Sequence, residues 1–515
     1  MNRLAAALTI LMLGAASLQA GLRLPALFTD HMVLQRGLAC PVWGWDDPGG
    51  KVTVTFGGQE KSAVAGDDGR WETKLDPMEA SAAPRTLKVT GQGAIEVNDV
   101  LVGDVWVGSG QSNMQFKLGQ TWDGDLEAMM AANPNLRLIT VPTRGTQKLE
   151  PDFQGAWAVS SPESAPGFSA VLYFFGRHLQ QTLGVPVGLI HCSWGGSACE
   201  AWIPRAAIES DPRFAALMDG WKKREQGYDE KAEKAKHETA MAEWKQKAEE
   251  ARKAGKRVPQ APRLNNPLGG NQRPGNLWAG MAHPIKGYGI RGAIWYQGES
   301  NAGRAAAYRD LFPFMIEQWR KQWGQGEFPF YWVQLADYQA EPASPGDSAW
   351  AELREAQTLT LDKLRKTGQA VIIDLGEAGD IHPRNKRDVA ERLVRWALAR
   401  EFGRQIAFQS PRFQTMRADG NKITLTFGEV GGGLRTVDKK AVQGFAICGD
   451  DRKWVWAEAN IAAKDRIVVT SPQVAAPVAV RYAWADNPVC NVYSAEGLPL
   501  TPFRTDDFPL TTAGK

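Results

Sequence analysis

The sequence predicts a mixed α/β protein, with a largely parallel sheet carrying helices on its faces and a β-sandwich before and after it. Three observations predict this. Short β segments separated by turn residues fill 21–98 and return from about residue 405. Between them strand-like and helix-like stretches alternate, the pattern of strands joined by crossover helices. At 515 residues the chain is also too long for one hydrophobic core.

Residues 1–20 read as an export signal: Arg3 gives a short positive start, Leu4 to Leu13 an apolar run and Ala15 to Ala20 a small-residue exit. The run is too short for a membrane span and no other follows, so the expectation is a secreted or periplasmic protein without a membrane segment. In the first β region, 21–98, the runs Val42-Trp-Gly-Trp45, Val52-Thr-Val-Thr-Phe56 and Trp71-Glu-Thr-Lys-Leu75 are punctuated by Asp46-Asp-Pro-Gly-Gly50 and Asp67-Asp-Gly69. The catalytic region is expected over 99–404. Its strands are Leu136 to Val141, Val185 to Cys192, Ile290 to Tyr296, Phe330 to Leu335 and Ala370 to Leu375, and its helices Ser169 to Leu183, Ala305 to Trp323, Trp350 to Lys366 and Lys386 to Phe402. An excursion at about 211–262 is rich in Lys, Glu and Ala. There His237, Met241, Trp244, Ala248 and Ala251 lay one mildly apolar stripe along a helix, which suits a solvated helical hairpin without chemistry of its own. The second sandwich spans 405–515.

A net charge of +3, from 60 basic and 57 acidic residues, gives no broad field for nucleic acid or an anionic membrane, so a small or neutral ligand is the expected partner. Twenty tryptophans are many. Indoles stack on sugar rings, but most serve cores. Five cysteines (Cys40, Cys192, Cys199, Cys448, Cys490) are too few for a disulfide scaffold; Cys192 with Cys199, and Cys448 with Cys490, are either disulfides or buried thiols. No Cys/His spacing resembles a zinc site, so neither metal nor other cofactor is expected.

The chemistry centres on Val105-Trp-Val-Gly-Ser-Gly-Gln-Ser-Asn-Met114, an apolar strand that ends in glycines and delivers Ser112 beyond the sheet edge. In an open α/β sheet ligands bind at the carboxyl ends of strands, and Ser112, Gly195, Gly196, Gln297 and His382 all fall at such ends. A serine nucleophile needs a base. Of six histidines, His31 and His237 lie outside the sheet region, His178 is mid-helix, His283 precedes a proline, and His191 closes a strand as an outside candidate. His382 follows a hydrophobic strand in a short polar loop and is the favoured base. Oxyanion donors are expected from the backbone N–H of Gly195 or Gly196 and from the amide of Gln297 or Asn301, with Glu299 holding its loop in shape.

Gly110-Gln-Ser-Asn-Met114, Trp295-Tyr-Gln-Gly-Glu-Ser-Asn301 and Asp380-Ile-His-Pro383 resemble the signature blocks of the sialate O-acetylesterase family, within the SGNH-hydrolase superfamily, and Trp194-Gly-Gly-Ser-Ala-Cys-Glu-Ala-Trp202 resembles its glycine block. The resemblance runs from about Leu24 to the C-terminus. It implies a flavodoxin-like α/β/α domain that removes acetyl groups from sugar hydroxyls without metal, with Ser112 as nucleophile, His382 as base, and the oxyanion held by the Ser112 N–H, a glycine of the 195–196 pair and the Gln297 or Asn301 amide. Many members of the superfamily place an acid three residues before the histidine. Here that position is Gly379, and Asp380 stands one residue nearer, so Asp380, a loop carbonyl and, third, Asp374 compete to orient His382. The reading the resemblance implies is a secreted carbohydrate O-acetylesterase, a sialate O-acetylesterase before others, acting on an O-acetylated small molecule or oligosaccharide through an acetyl-serine intermediate, with an acetylxylan-type esterase and a catalytically inactive glycan-binding protein as alternatives.

Overall fold

The structure, a computed structural model, describes residues 21–264 and 266–514; the expected export signal lies outside them. Its central sheet runs, from one edge to the other, through Thr367–Ala370, Phe330–Val333, Gly292–Tyr296, Ala94–Gly110, Val187–Ser193, Asn133–Thr140 and Ala158–Ser160. All pairings are parallel except the last, which is antiparallel. Residues 187–193, 292–296 and 330–333 are buried throughout, as a parallel sheet covered on both faces requires. Side chains alternate between two cores. Val105, Val107 and Trp295 face one core with the helices Ala305–Trp323 and Ala349–Lys363, while Trp106, Ile294 and Tyr296 face the other with Ala170–Leu183 and Lys386–Arg400.

The predicted helices match closely, and Ser169 caps the first by accepting the Leu172 N–H. One strand is displaced: the expected run Ala370 to Leu375 pairs only over Thr367–Ala370, because its neighbour Phe330–Val333 ends opposite Ala370. Val371 and Ile373 instead join the core of the C-terminal region, where the sheet of Arg412–Asp419, Lys422–Gly428, Arg466–Thr470 and Glu458–Ala463 meets a second four-stranded sheet that includes Phe445–Cys448 and Ala479–Tyr482.

The expected boundary at 98/99 falls inside a single strand. Residues 94–102 of Ala94–Gly110 pair antiparallel with Ser81–Thr90, and from Asp104 onward the same strand pairs parallel with Val187–Ser193. The chain passes straight through Asn98 and Asp99. Asp99 takes a left-handed φ of 52° and its carboxylate receives Arg137 at 2.6 Å and His31 at 2.7 Å, which stabilises the kink without ending the strand. Leu27, Val52 and Trp71 accordingly share one core with Val105 and Trp295.

The excursion forms two helices, Ala215–Gln226 and Glu230–Lys253. In the second only Ala248 is buried, while His237, Met241, Trp244 and Ala251 are half-buried along the stripe read from sequence. All five cysteines are free thiols, Cys192 and Cys199 included. The largest fully buried side chains include six tryptophans, in keeping with a core role for most of them.

Candidate active site

Strand Ala94–Gly110 sits where the chain changes direction: the next strands are added on its Val187–Ser193 side and the later ones on its Gly292–Tyr296 side. Such a switch point opens a crevice at the strand's carboxyl end. Gly110 has φ 136°, and a Cβ there would lie 2.2 Å from the Tyr296 carbonyl oxygen, so only glycine lets the chain leave the sheet this sharply. Gln111 fixes the exit: its N–H donates to Tyr296 O at 2.9 Å, and its Oε1 accepts the N–H groups of Gly298 and Ser300 at 3.4 and 3.3 Å. The short helix Ser112–Gln115 follows, anchored by Ser169 Oγ, which donates to Met114 O at 2.6 Å.

His382 Nε2 lies 2.8 Å from Ser112 Oγ, across 270 residues of sequence. Asp380 Oδ1 accepts the His382 backbone N–H at 2.9 Å and stands 3.4 Å from His382 Nδ1. Asp374 is committed elsewhere, to the Arg392 guanidinium and the Tyr493 hydroxyl. His191 is enclosed within its strand, with Nε2 2.6 Å from Ser193 Oγ, and burial pushes its imidazolium down to about 4. His31 and His283 are likewise engaged away from Ser112, with Asp99 and the Glu150 carbonyl.

The structure brings Gly195 to Ser112. A Cβ on it would lie 3.3 Å from Ser112 Cβ and 3.1 Å from Gln115 Oε1, and its N–H donates to Gln115 Oε1 at 2.8 Å. The Gln115 oxygen thus sits where a donor meets the space beside the serine. Gly196, at φ 72°, makes the turn that directs this loop. Gly195→Ala is expected to lower kcat by roughly ten- to a hundredfold, because small displacements at reacting atoms are this costly. Thermal melting should change little; steady-state kinetics beside a melt check both.

The structure engages Gln297 and Asn301, expected as oxyanion donors, in hydrogen bonds between loops. The Gln297 amide nitrogen donates to Ser197 O at 3.1 Å and to Asn301 Oδ1 at 2.6 Å, and its oxygen accepts Tyr308 OH at 2.8 Å. Asn301 Nδ2 donates to Glu200 Oε2 at 2.9 Å, while its Oδ1 also accepts the Cys199 N–H. Both are buried struts that tie the 297–301 loop to the 195–202 loop, and the Gln297 amide has no hydrogen left to offer.

Three residues around the pair form a network that sequence reasoning did not assemble. Asn113 Nδ2 donates to Glu299 Oε1 at 2.7 Å and to Ile381 O at 3.0 Å, while Asn113 Oδ1 accepts Lys386 Nζ at 2.8 Å. Lys386 also donates to Pro383 O and lies 4.8 Å from the Phe116 ring centroid. The residue after Ser112 is thereby fastened to both sides of His382. Glu299 ties its loop to Asn113, and burial pushes its carboxyl upward. A signal for Lys386 was present. It stands on the apolar stripe of its helix with Val389, Ala390, Leu393 and Ala397, all buried, where a charge needs partners.

Burial pushes the Lys386 ammonium down to about 7, against the nearby carboxylates of Glu299, Glu377 and Asp380. Between about 7 and the ordinary lysine value of about 10.4 the unfolded chain binds more protons than the folded one, so stability attributable to this group rises with pH across that window. Lys386→Met should flatten the rise in melting temperature between pH 7 and 10. It should also lower kcat by about tenfold or more through the loosened His382 loop. A variant whose pH-dependent melting matches the parent would contradict the burial of this cation.

Comparison with known proteins identifies the family. The family model for carbohydrate esterase, sialic acid-specific acetylesterase, matches residues 102–248 and 276–387, which contain Ser112, Gly195 and His382. Sialate O-acetylesterase of Mus musculus is 31% identical over 94% of this chain and 94% of its own length. The chain belongs to the sialate O-acetylesterase family. The Homo sapiens sialate O-acetylesterase is also 31% identical, covering 94% of this chain and 92% of that protein. Among solved structures, a carbohydrate acetylesterase from Xanthomonas citri is 37% identical and superposes with a TM-score of 0.80, covering 95% of this chain and all of that one. Membership of the sialate O-acetylesterase family makes the chain an esterase by descent, and the matched segments stop short of the excursion's end and of the C-terminal sheets.

Proposed function

We propose that this protein is a carbohydrate O-acetylesterase of the SGNH type, which hydrolyses acetyl esters on sugar hydroxyls through an acetyl-serine intermediate. The observation that carries the reading is the 2.8 Å contact between His382 Nε2 and Ser112 Oγ at the switch point of the sheet. Ser112 Oγ attacks the ester carbonyl as His382 Nε2 takes its proton. The tetrahedral oxyanion forms beside Gly195, whose N–H exchanges Gln115 Oε1 for the charged oxygen, with the Ser112 N–H as second donor. His382 returns the proton to the departing sugar hydroxyl, and water then releases acetate by the same route. Asp380 orients the imidazole and stabilises its charged form.

The strand order Val187–Ser193, Ala94–Gly110, Gly292–Tyr296, Phe330–Val333, Thr367–Ala370, with helices on both faces, supports the flavodoxin-like reading, extended here by Asn133–Thr140 and the antiparallel edge. The leader-like residues 1–20 support export, and no helix among the described residues is long and apolar enough to cross a membrane. Acetate release from O-acetylated sialic acid and from acetylated xylan, measured side by side with a chromogenic acetate ester, tests the activity and ranks its substrates. Failure of pure, folded protein to turn over any of them would favour a glycan-binding role. Turnover is expected to persist in a chelator, since backbone N–H donors fill the electrophilic role. Activity lost to the chelator and restored by a divalent ion would require another mechanism.

A further inference from the structure

After the excursion the chain returns to the sheet region through residues 266–277, and this returning arm lies against the glycine turn beside Ser112. Asn271 Nδ2 donates to the Gly195 carbonyl and Gln272 Nε2 to the Gly196 carbonyl, while the Asn271 carbonyl accepts the Ala198 N–H at 3.3 Å. Both glycine carbonyls are thus held by the arm, and the Gly195 N–H by Gln115 Oε1. A Gly-Gly turn has no side chains of its own to fix its peptide planes, so these bonds decide where the Gly195 N–H stands. Asn271 and Gln272 fall between the two segments that the family model matches, 102–248 and 276–387, whereas Gly195 and Ser112 lie within the first.

The arm is itself held at several points. Buried Asn276 closes it as a loop, its Nδ2 donating to Leu268 O at 2.9 Å and Gly270 O at 2.8 Å. Gly275, at φ 82°, brings it against the outgoing chain: a Cβ there would lie 2.6 Å from Arg205 Cβ, and its N–H donates to Glu200 O at 3.1 Å. Glu225, in the first excursion helix Ala215–Gln226, then clips the outgoing and returning chains together. Its carboxylate accepts Arg273 Nε at 2.8 Å and Arg205 Nη2 at 3.1 Å, both charge-assisted. In sequence the excursion reads as a solvated hairpin without chemistry, but its base carries a chain of bonds from Glu225 through Arg273 to the residues that grip Gly195 and Gly196.

We propose that Asn271, supported by Gln272, is a positioning residue of the oxyanion hole, and that Glu225 keeps the arm bearing them in place. The inference rests on the acetyl-serine reading and gives the excursion a part in it. The test uses the full-length protein with a chromogenic acetate ester, and beside it the rate at which an organophosphonate modifies Ser112, since its phosphoryl oxygen takes the place of the ester's oxyanion. Asn271→Ala should lower kcat about tenfold or more and slow phosphonylation by a similar factor, with KM changed by less than about twofold. Asn271→Asp keeps the shape but turns an oxygen toward the Gly195 carbonyl, and should be impaired at least as much. Gln272 is exposed, so Gln272→Ala should fold as the parent does and lower both rates about threefold or more. Glu225→Gln should move both rates the same way, and its effect combined with Asn271→Ala should fall short of the product of the two, as coupled residues require. If Asn271→Ala does not fold, Gln272→Ala and Glu225→Gln decide. Parental kinetics in the folded variants, a change confined to KM, a loss of kcat with phosphonylation unchanged, or fully multiplicative effects would overturn the inference while leaving the esterase intact. No turnover by the parent overturns the esterase reading and this inference with it.

Discussion

Ser112→Ala is expected to lower turnover of an acetate ester by about 10⁴- to 10⁶-fold, the loss seen when a covalent nucleophile is removed and only the oxyanion donors remain. The effect should be confined to chemistry. The hydroxyl's bond is to His382, and the packing of this turn runs through other atoms: Gly110 against the Tyr296 carbonyl, Gln111 to Gly298 and Ser300, and Ser169 to Met114 O. Alanine keeps the Cβ that meets Gly195, so the loop has no reason to move. Melting should therefore shift by no more than a surface substitution does, within about 0.5 kcal/mol. An organophosphonate followed by peptide mass mapping gives an independent reading. Labelling of a different serine, or near-parental turnover by the alanine variant, would remove Ser112 from its assigned role.

Asp380→Asn should cut kcat by about 10²- to 10⁴-fold, the upper figure being that of a triad aspartate converted to its amide. The geometry makes this substitution informative because one carboxylate oxygen has two neighbours. Oδ1 accepts the His382 N–H at 2.9 Å, a bond that an asparagine oxygen also makes, so the loop keeps its shape. The same oxygen stands 3.4 Å from Nδ1, longer than a well-formed hydrogen bond and of a length that closes as catalytic sites take up substrate. The amide therefore removes mainly the negative charge that steadies the imidazolium. KM should change much less than kcat. A fall below about tenfold, with His382→Ala inactive, would identify a Ser112 and His382 dyad in which the main chain fixes the ring.

Much of the fold was legible in the sequence because the catalytic region is built from strongly periodic elements: Ala305–Trp323 matches its expected span, and Ala170–Leu183 follows the serine that caps it. Ser112, Gly195 and His382 were legible because each ends a hydrophobic run in residues a core does not select. What was not legible depended on partners remote in sequence. Gln297 and Asn301 look like free strand-end amides until their bonds to Ser197, Glu200 and Tyr308 are seen. The change of rhythm at 98/99 looks like a boundary between units until Arg137 and His31 are seen to hold Asp99 within one continuous strand. Lys386 is the instructive miss, since its position on an apolar stripe was visible and only its acceptors were not.

The strand Ala94–Gly110 also bears on how the chain reaches this state. It is laid down early, with the antiparallel Ser81–Thr90 and the short parallel Val33–Gln35 already synthesised to flank its first half, but the parallel neighbours of its second half arrive later and the second of them, Gly292–Tyr296, only after the whole excursion has been made. Until then its apolar second half has an open edge, the kind of surface on which slow, nonlocal folding and misassociation begin. The N-terminal β region is therefore no detachable accessory to the catalytic sheet. It is a clamp on that sheet's first strand, and a fragment beginning at residue 99 should collect as aggregate rather than as a smaller working enzyme.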